Sequence, residues 1–322
     1  MRIRRTSRKP DTFLIGAPKS GTTSLYGYLR EHPDVFMSRE KEPEYFAPDV
    51  VHMRRGRPFI YPTDEARYLS LFARARHEAR AGEASTSYLA SHDAPRLIRA
   101  FQPAALIIVM LRNPVDLIHS LYGHRIAHGS EWITDFATAL EADADRRRGK
   151  RLQLGRPGLG AAYRDYAMLG DQLERWLDEF GAERIHTISF NDFVTDTEDE
   201  FAKVLKFLEV DESFRPASFA VHNQSHRRRS GPIRLAFSNP LVRWLSRSAL
   251  PAMIGERATA RLARRINRRR FTRRPVNVEP VSPEVRRELE REFERDVEKL
   301  GRLLGRDVKS EWFGSTVSGA AA

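Results

Sequence analysis

The sequence predicts an α/β protein, a parallel β-sheet flanked by helices, and three segments carry the prediction. Thr12-Phe-Leu-Ile15 is a short buried-strand pattern, followed by the Gly-bounded loop Gly16-Ala-Pro-Lys-Ser-Gly21 and a helical pattern from about Thr22 to Glu31. Ala105-Leu-Ile-Ile-Val-Met-Leu111 is apolar throughout and β-branched at its middle, as a central strand covered on both faces must be. Arg184-Ile-His-Thr-Ile-Ser189 alternates like another strand and is followed by helical spacing from Asp196 to Leu208. Strands that alternate with helices pair in parallel, because each crossover helix returns the chain to the same end of the sheet.

Each element has its own signals. His32-Pro33 stops the first helix, and Pro114, just after the strand at 105–111, opens the next, since a helix tolerates proline only in its first turn. Tyr163, Tyr166, Leu169, Leu173, Trp176, Leu177 and Phe180 fall at three- and four-residue spacings, which predicts one amphipathic helix closed by Gly181 with its aromatics mostly in the core. Phe201, Val204, Leu205 and Leu208 share one face of the helix at 196–208. Residues 232–274 interleave Leu235, Phe237, Leu241, Trp244, Leu245 and Leu250 with arginines and predict amphipathic helices without a strand. Pro283 to Leu304 predicts a charged helix with Leu289, Phe293, Val297, Leu300 and Leu304 as its apolar stripe. The expected organisation is a basic arm (1–10), an α/β domain (11–231), an Arg-rich helical insertion (232–274), a C-terminal helix returning to the core (275–313) and a disordered tail (314–322).

Composition narrows the function. With 41% hydrophobic and 30% charged residues the chain has the balance of a soluble globular protein, and the absence of Cys excludes disulfides, thiolate metal sites and a cysteine nucleophile. The apolar run after the basic N-terminus is only Phe13-Leu14-Ile15, and no stretch reaches the ~18–20 apolar residues of a membrane span, so a cytoplasmic enzyme is expected. The net charge of +12 is local: Arg227 to Arg274 holds 15 Arg, no Lys and one acid, Glu256, so the rest of the chain is nearly neutral.

The loop Gly16 to Gly21 has the glycine spacing of a nucleoside-triphosphate P-loop, but the lysine is displaced. In that motif Lys follows the second Gly; here Thr22 does, and Lys19 stands two residues before Gly21. A tighter loop would place Lys19 beside the transferring group while the amides of Ser20 to Thr23 and the helix N-terminus hold one phosphate. Pro18-Lys-Ser-Gly-Thr-Thr-Ser-Leu25 after a strand resembles the 5′-phosphosulfate loop of sulfotransferases that use 3′-phosphoadenosine-5′-phosphosulfate (PAPS). The strand ending Leu111-Arg112-Asn113-Pro114, with Ser120 eight residues after Arg112, resembles the same family's 3′-phosphate element. The resemblance covers roughly residues 10–230 and the last helix. It implies a P-loop-type sheet, PAPS as donor and PAP as product. It also implies donor contacts from Lys19, Ser20, Gly21, Thr22, Thr23, Ser24, Arg112 and Ser120. No metal is implied, because Lys19, Arg112 and the amides supply the charge that Mg²⁺ supplies in kinases.

Arg39-Glu-Lys-Glu-Pro-Glu-Tyr-Phe46 resembles the KE-x-x-F/Y-F motif of glycan-modifying sulfotransferases, which implies Glu42 as the base, with Lys41 beside it and Glu44 as rival. His119, His124 and His128 follow Arg112 and stand as alternatives, since small-molecule sulfotransferases use histidine. Gly82 to Tyr88 resembles an acceptor-cleft EKxPxYF element with Ala84 for its Lys and Thr86 for its Pro, which leaves Glu83 and Ser85 as candidate acceptor contacts and argues against a polyanionic acceptor. The stretch through Asn191-Asp192-Phe193 is similar to a family helix-strand unit in which Tyr163 would approach adenine or acceptor. His222 to Gly231 falls at the family's basic loop, implying Arg229 and Ser230, although Arg227 and Arg228 are equally placed.

The implied activity is sulfuryl transfer to a hydroxyl or amine of a carbohydrate, glycolipid or small-molecule acceptor. A P-loop kinase using Mg-ATP is the enzymatic alternative, disfavoured by the displaced Lys. A nucleic-acid or anionic-membrane binder built on 232–274 is the non-enzymatic one. No nucleic-acid fold signature accompanies the arginines, whereas an interfacial helix pair on anionic lipid, or a lid or oligomer contact, fits Leu, Phe and Trp among them.

Overall fold

The structure, a computed structural model, describes residues 8–50, 64–128, 131–148, 150, 162–219, 226–228, 273–275 and 278–314. Five strands, β1 (Thr12–Gly16), β2 (Val35–Met37), β3 (Arg80–Ala84), β4 (Leu106–Leu111) and β5 (Ile185–Ser189), form one parallel sheet in the order β2-β3-β1-β4-β5. Phe13 pairs with Ile107 and Leu14 with Ile108. Because side chains alternate across a strand, Phe13, Ile15, Ile107, Val109 and Leu111 face one layer, and Leu14, Ile108, Met110 and Ile188 the other. Both sets are buried, as the continuous apolar runs required.

One layer is closed by α1 (Thr22–Leu29), the short α9 (Phe190–Thr195) and α10 (Thr197–Phe207), which contribute Leu25, Leu29, Phe193, Phe201, Val204 and Leu205. The other holds α2 (Glu65–Ser70), α3 (Ser87–Ala90), α4 (Ala94–Phe101), α5 (Pro114–His128), α6 (Phe136–Glu141), α7 (Asp143–Arg147), α8 (Leu169–Phe180), α11 (Pro283–Leu304) and α12 (Val308–Phe313). On α11, Leu289, Phe293, Val297 and Leu300 form the buried stripe expected of it. Leu304, assigned to the same stripe, packs against it partly buried. No described helix is long and apolar enough to cross a membrane.

Several elements differ from expectation for physical reasons. The helix expected from Tyr163 begins at Leu169, after a 3₁₀ turn at Arg164–Tyr166. The Tyr166 and Ala167 N–H groups bond only three residues back, to the Tyr163 (3.1 Å) and Arg164 (3.0 Å) carbonyls, and Met168 at ψ 67° interrupts the run before Leu169. Strands β2 and β3 carried no readable signal, being three residues and Arg-Ala-Gly-Glu-Ala. The small residues have a cause, because a Cβ at Gly82 would lie 2.6 Å from the Thr12 carbonyl on the neighbouring strand. The Arg-rich stretch is not wholly helical: β6 (His226–Arg228) pairs antiparallel with β7 (Arg273–Pro275), Arg227 opposite Arg274. Three-residue strands are too short to show an alternation. Residues 229–272 and the tail from 315 lie outside the described residues, while Arg8 of the N-terminal arm bonds Asp11 (2.7 Å) and the Ala79 carbonyl (2.7 Å).

The C-terminal helices brace α8 and the start of α5. Asp296 on α11, 5% exposed, accepts the N–H groups of Gly170 (2.8 Å) and Asp171 (2.9 Å), two of the four amides that a helix start leaves unpaired. Asn113 caps α5 by accepting the Val115 N–H (2.9 Å) and donates to the Trp312 carbonyl on α12 (2.8 Å). Asp296→Ala strands one buried and one part-buried amide at the start of α8, so it should lower unfolding free energy by about 1–3 kcal/mol, read as a lower urea midpoint at unchanged slope.

Candidate functional site

Strands β1 and β4 are neighbours whose following connections leave in opposite directions, toward β2 and toward β5. Such a switch point opens a crevice at the C-terminal ends of the strands. The loop between β1 and α1 fills its near wall. Gly16 has φ 152°, and a Cβ there would lie 2.5 Å from the Met110 carbonyl oxygen. That carbonyl accepts the Ala17 N–H (2.9 Å) and the Ser20 hydroxyl (3.1 Å), and Ser20 also donates to the Ala17 carbonyl (2.5 Å). Ser20 is therefore fully buried and its side chain shapes the loop.

Lys19 is left-handed at φ 68°, and Gly21 at φ 90° is the N-cap of α1. Gly21 brings no capping side chain, and the first turn carries no acid, so the N-terminal amides and the positive end of the dipole face the crevice. Thr22 and Ser24 are buried, Ser24 bonded to Tyr28, while Thr23 is half-buried. Arg112, leaving β4, donates from Nη1 to the Lys19 carbonyl (2.7 Å) and lies 4.4 Å from the ring centre of Phe190, the first residue after β5. Three strand ends thus converge. Burial and then the Arg112 charge draw the Lys19 ammonium below its ordinary range, and burial draws Arg112 down, partly offset by Asp116. Two crowded cations at a helix N-terminus favour an anion in reach of both. Ser120 is half-buried two turns along α5.

The second half of the crevice is acidic and stands at the end of β3. The Glu42 N–H donates to the Ala84 carbonyl (2.8 Å), which fixes Glu42 at that strand end with its side chain half-buried. Lys41 pairs with Glu42 (3.0 Å), and the Thr86 hydroxyl lies at 3.5 Å from the same oxygen. Glu44 is only 4% exposed. Of the two rivals, Glu42 faces solvent. Among the described residues four non-glycine positions are left-handed, and three of them, Lys19, Glu42 and Glu44, lie on these two loops.

Other expected contacts fall elsewhere. Tyr163 is fully buried and its hydroxyl donates to Glu131 (2.8 Å), itself paired with Arg146 (2.6 Å), so Tyr163 belongs to the core and cannot meet adenine or acceptor. Glu83 and Ser85 are buried and bonded to each other (2.6 Å) rather than presented to an acceptor. His119 meets the Glu279 carbonyl through Nε2 (2.9 Å) and packs on Phe136. His124 is half-buried; the His128 side chain, Arg229 and Ser230 lie outside the described residues. Among the described residues no group of His, Asp and Glu is arranged to hold a metal ion. Phe190 was missed, although its place directly after a strand beside β4 follows the rule that marked Arg112.

Residues 10–214 match the model of the sulfotransferase family. Carbohydrate sulfotransferase 15 of Mus musculus is 35% identical over 151 residues, 35% of this chain and 27% of that one. Heparan sulfate glucosamine 3-O-sulfotransferase 6 of Homo sapiens is 28% identical over 206 residues, 62% of this chain and 52% of that one. The chain thus spans between a quarter and about half of these relatives. A sulfotransferase structure from Alicyclobacillus acidocaldarius is similar over 95% of this chain and 99% of its own, at 27% identity and TM-score 0.69. With the displaced lysine, the strand-end arginine and a family match over residues 10–214, the chain belongs to the sulfotransferase family.

Proposed function

We propose that the chain moves a sulfuryl group from PAPS to a hydroxyl or amine of a carbohydrate or glycolipid. The observation that carries this reading is the bond from Arg112 to the Lys19 carbonyl, which fixes two cations on one rim of the switch-point crevice. When bound, PAPS supplies the sulfuryl group and a bisphosphate leaving group. The loop amides from Ser20 to Thr23 and the start of α1 bind the 5′-phosphosulfate, and Arg112 with Ser120 binds the 3′-phosphate. Lys19 donates toward the bridging oxygen, where negative charge grows as the bond from sulfur to that oxygen breaks. Glu42 accepts the proton of the acceptor as its oxygen or nitrogen forms the new bond to sulfur.

Names of the relatives support a carbohydrate acceptor. Ala84 marks a difference in charge. It is fully buried on the sheet, and the acceptor side carries Glu42 and Glu44 against Lys41, so a neutral glycan or glycolipid suits it better than a polyanion.

Calorimetric titration with PAP and with Mg-ATP tests the donor site. PAP should bind without metal and Arg112→Ala should weaken it about 10- to 100-fold, the loss of one charge-assisted contact; a preference for Mg-ATP would mean a kinase. Transfer from labelled PAPS to neutral oligosaccharides, glycolipids and desulfated heparin should select the first two. Glu42→Gln should reduce turnover by about 10²- to 10⁴-fold, the range for a general base, while PAP affinity stays unchanged.

A further inference from the structure

Glu83 is completely buried at the end of β3, yet three hydroxyl groups converge on its carboxylate. Tyr68 (2.7 Å) and Tyr88 (2.8 Å) donate to Oε1, and Ser85 (2.6 Å) donates to Oε2. A buried carboxylate is costly unless its lone pairs are filled, and these donors come from α2, from α3 and from the turn between β3 and α3.

Each donor also holds one residue of the loop that follows Glu42. The Ser85 Oγ accepts the Glu44 N–H (3.2 Å). The Tyr68 ring stacks on Tyr45, with centres 4.4 Å apart and planes 11° from parallel. The Tyr88 hydroxyl accepts the Phe46 N–H (3.3 Å). Three consecutive residues, 44, 45 and 46, are thus seated by three groups that one carboxylate orients. The loop needs seating, because Glu42 at φ 59° and Glu44 at φ 56° are left-handed, at about 1–2 kcal/mol each for non-glycine residues.

We propose that Glu83 is a positioning residue for sulfuryl transfer, its carboxylate locking Ser85, Tyr68 and Tyr88 so that they hold residues 44–46 and aim Glu42 at the acceptor. This rests on the reading of Glu42 as base. The clamp is tightest when Glu83 is ionised, since the carboxylate then accepts from all three hydroxyls, whereas a protonated carboxyl gives its own O–H to one of them and turns that hydroxyl from donor to acceptor. Burial pushes the Glu83 carboxyl up to about 7, the three hydroxyl groups opposing and the nearby Glu44 adding to the rise. Its folded value lies above the unfolded one, so its contribution to stability is full at low pH and is lost as pH rises through about 7, while the clamp tightens over the same interval.

Hydrogen exchange on the full chain with PAP bound, for wild type, Glu83→Gln, Ser85→Ala and Tyr88→Phe, tests the clamp without an acceptor. Amides 42–47 should exchange about tenfold faster in Glu83→Gln, while the loop at 17–23 and PAP affinity stay within about twofold. With the glycan found in the transfer screen, kcat should fall about 10- to 100-fold at unchanged acceptor KM, the cost of a misaimed group. The wild-type loss of kcat below about pH 7 should disappear in the variant. Unchanged exchange at 42–47 overturns the clamp, and faster exchange with kcat and its pH profile unmoved overturns the positioning role. If Glu83→Gln does not fold, Tyr88→Phe and Ser85→Ala decide by the same two readouts. A wild type that neither binds PAP nor transfers sulfuryl groups overturns the positioning role together with the sulfuryl-transfer reading, and exchange at 42–47 then shows whether the clamp itself stands.

Discussion

The carbonyl of Met110 joins the two walls of the donor crevice, and most of the site follows from it. It lies at the end of β4 and takes bonds from Ala17 and Ser20, both on the loop after β1. This contact requires Gly16, since any side chain there would occupy the space of that oxygen. Once the loop is drawn onto β4, Lys19 is forced into its left-handed conformation and its carbonyl comes within reach of Arg112, two residues after Met110. A main-chain junction thus ties Arg112 to the loop that carries Lys19.

The C-terminal edge of the sheet is divided by charge. Lys19, Arg112 and the start of α1 occupy the ends of β1 and β4, whereas Glu42, Glu44 and Glu83 gather at the end of β3. Transfer between a leaving group and an acceptor asks for this division, because negative charge appears on one oxygen while a proton leaves another. The two halves are held differently. The loop after β1 is fastened by bonds onto main-chain carbonyls, from the Ala17 amide, the Ser20 hydroxyl and Arg112, and the loop after Glu42 by side chains gathered on one buried carboxylate.

The parallel α/β sheet was legible in the sequence, and so were the places of three polar residues near its strand ends. Lys19, Arg112 and Glu42 could be read because each is a polar residue at a fixed distance from a strand end or within a short motif. The apolar runs at 12–15 and 105–111 announced central strands, since both faces of each had to be buried. By contrast, Arg-Ala-Gly-Glu-Ala is a strand only because Gly82 fits against Thr12, a condition that belongs to the neighbour. Tyr163 shows the converse error: its spacing continues the helical pattern, but it stands before the break at Met168 and its hydroxyl is held in the core by Glu131. Partners more than ten residues distant in sequence decided both cases.

Glu83 was read as an acceptor contact because a motif places it beside the acceptor cleft, and its burial changes what such a residue can do. A carboxylate with no path to solvent cannot meet a sugar, and its charge can act only through the groups that surround it. Tyr68, Tyr88 and Ser85 are tied at one end to that charge and at the other to the loop, so the stiffness of the loop depends on the ionisation of a group that touches no substrate. As pH rises through about 7 the carboxylate ionises and the fold gives up some stability. What the ionised carboxylate secures is a loop on which Glu42, the proposed base, keeps a left-handed backbone conformation that it would otherwise leave.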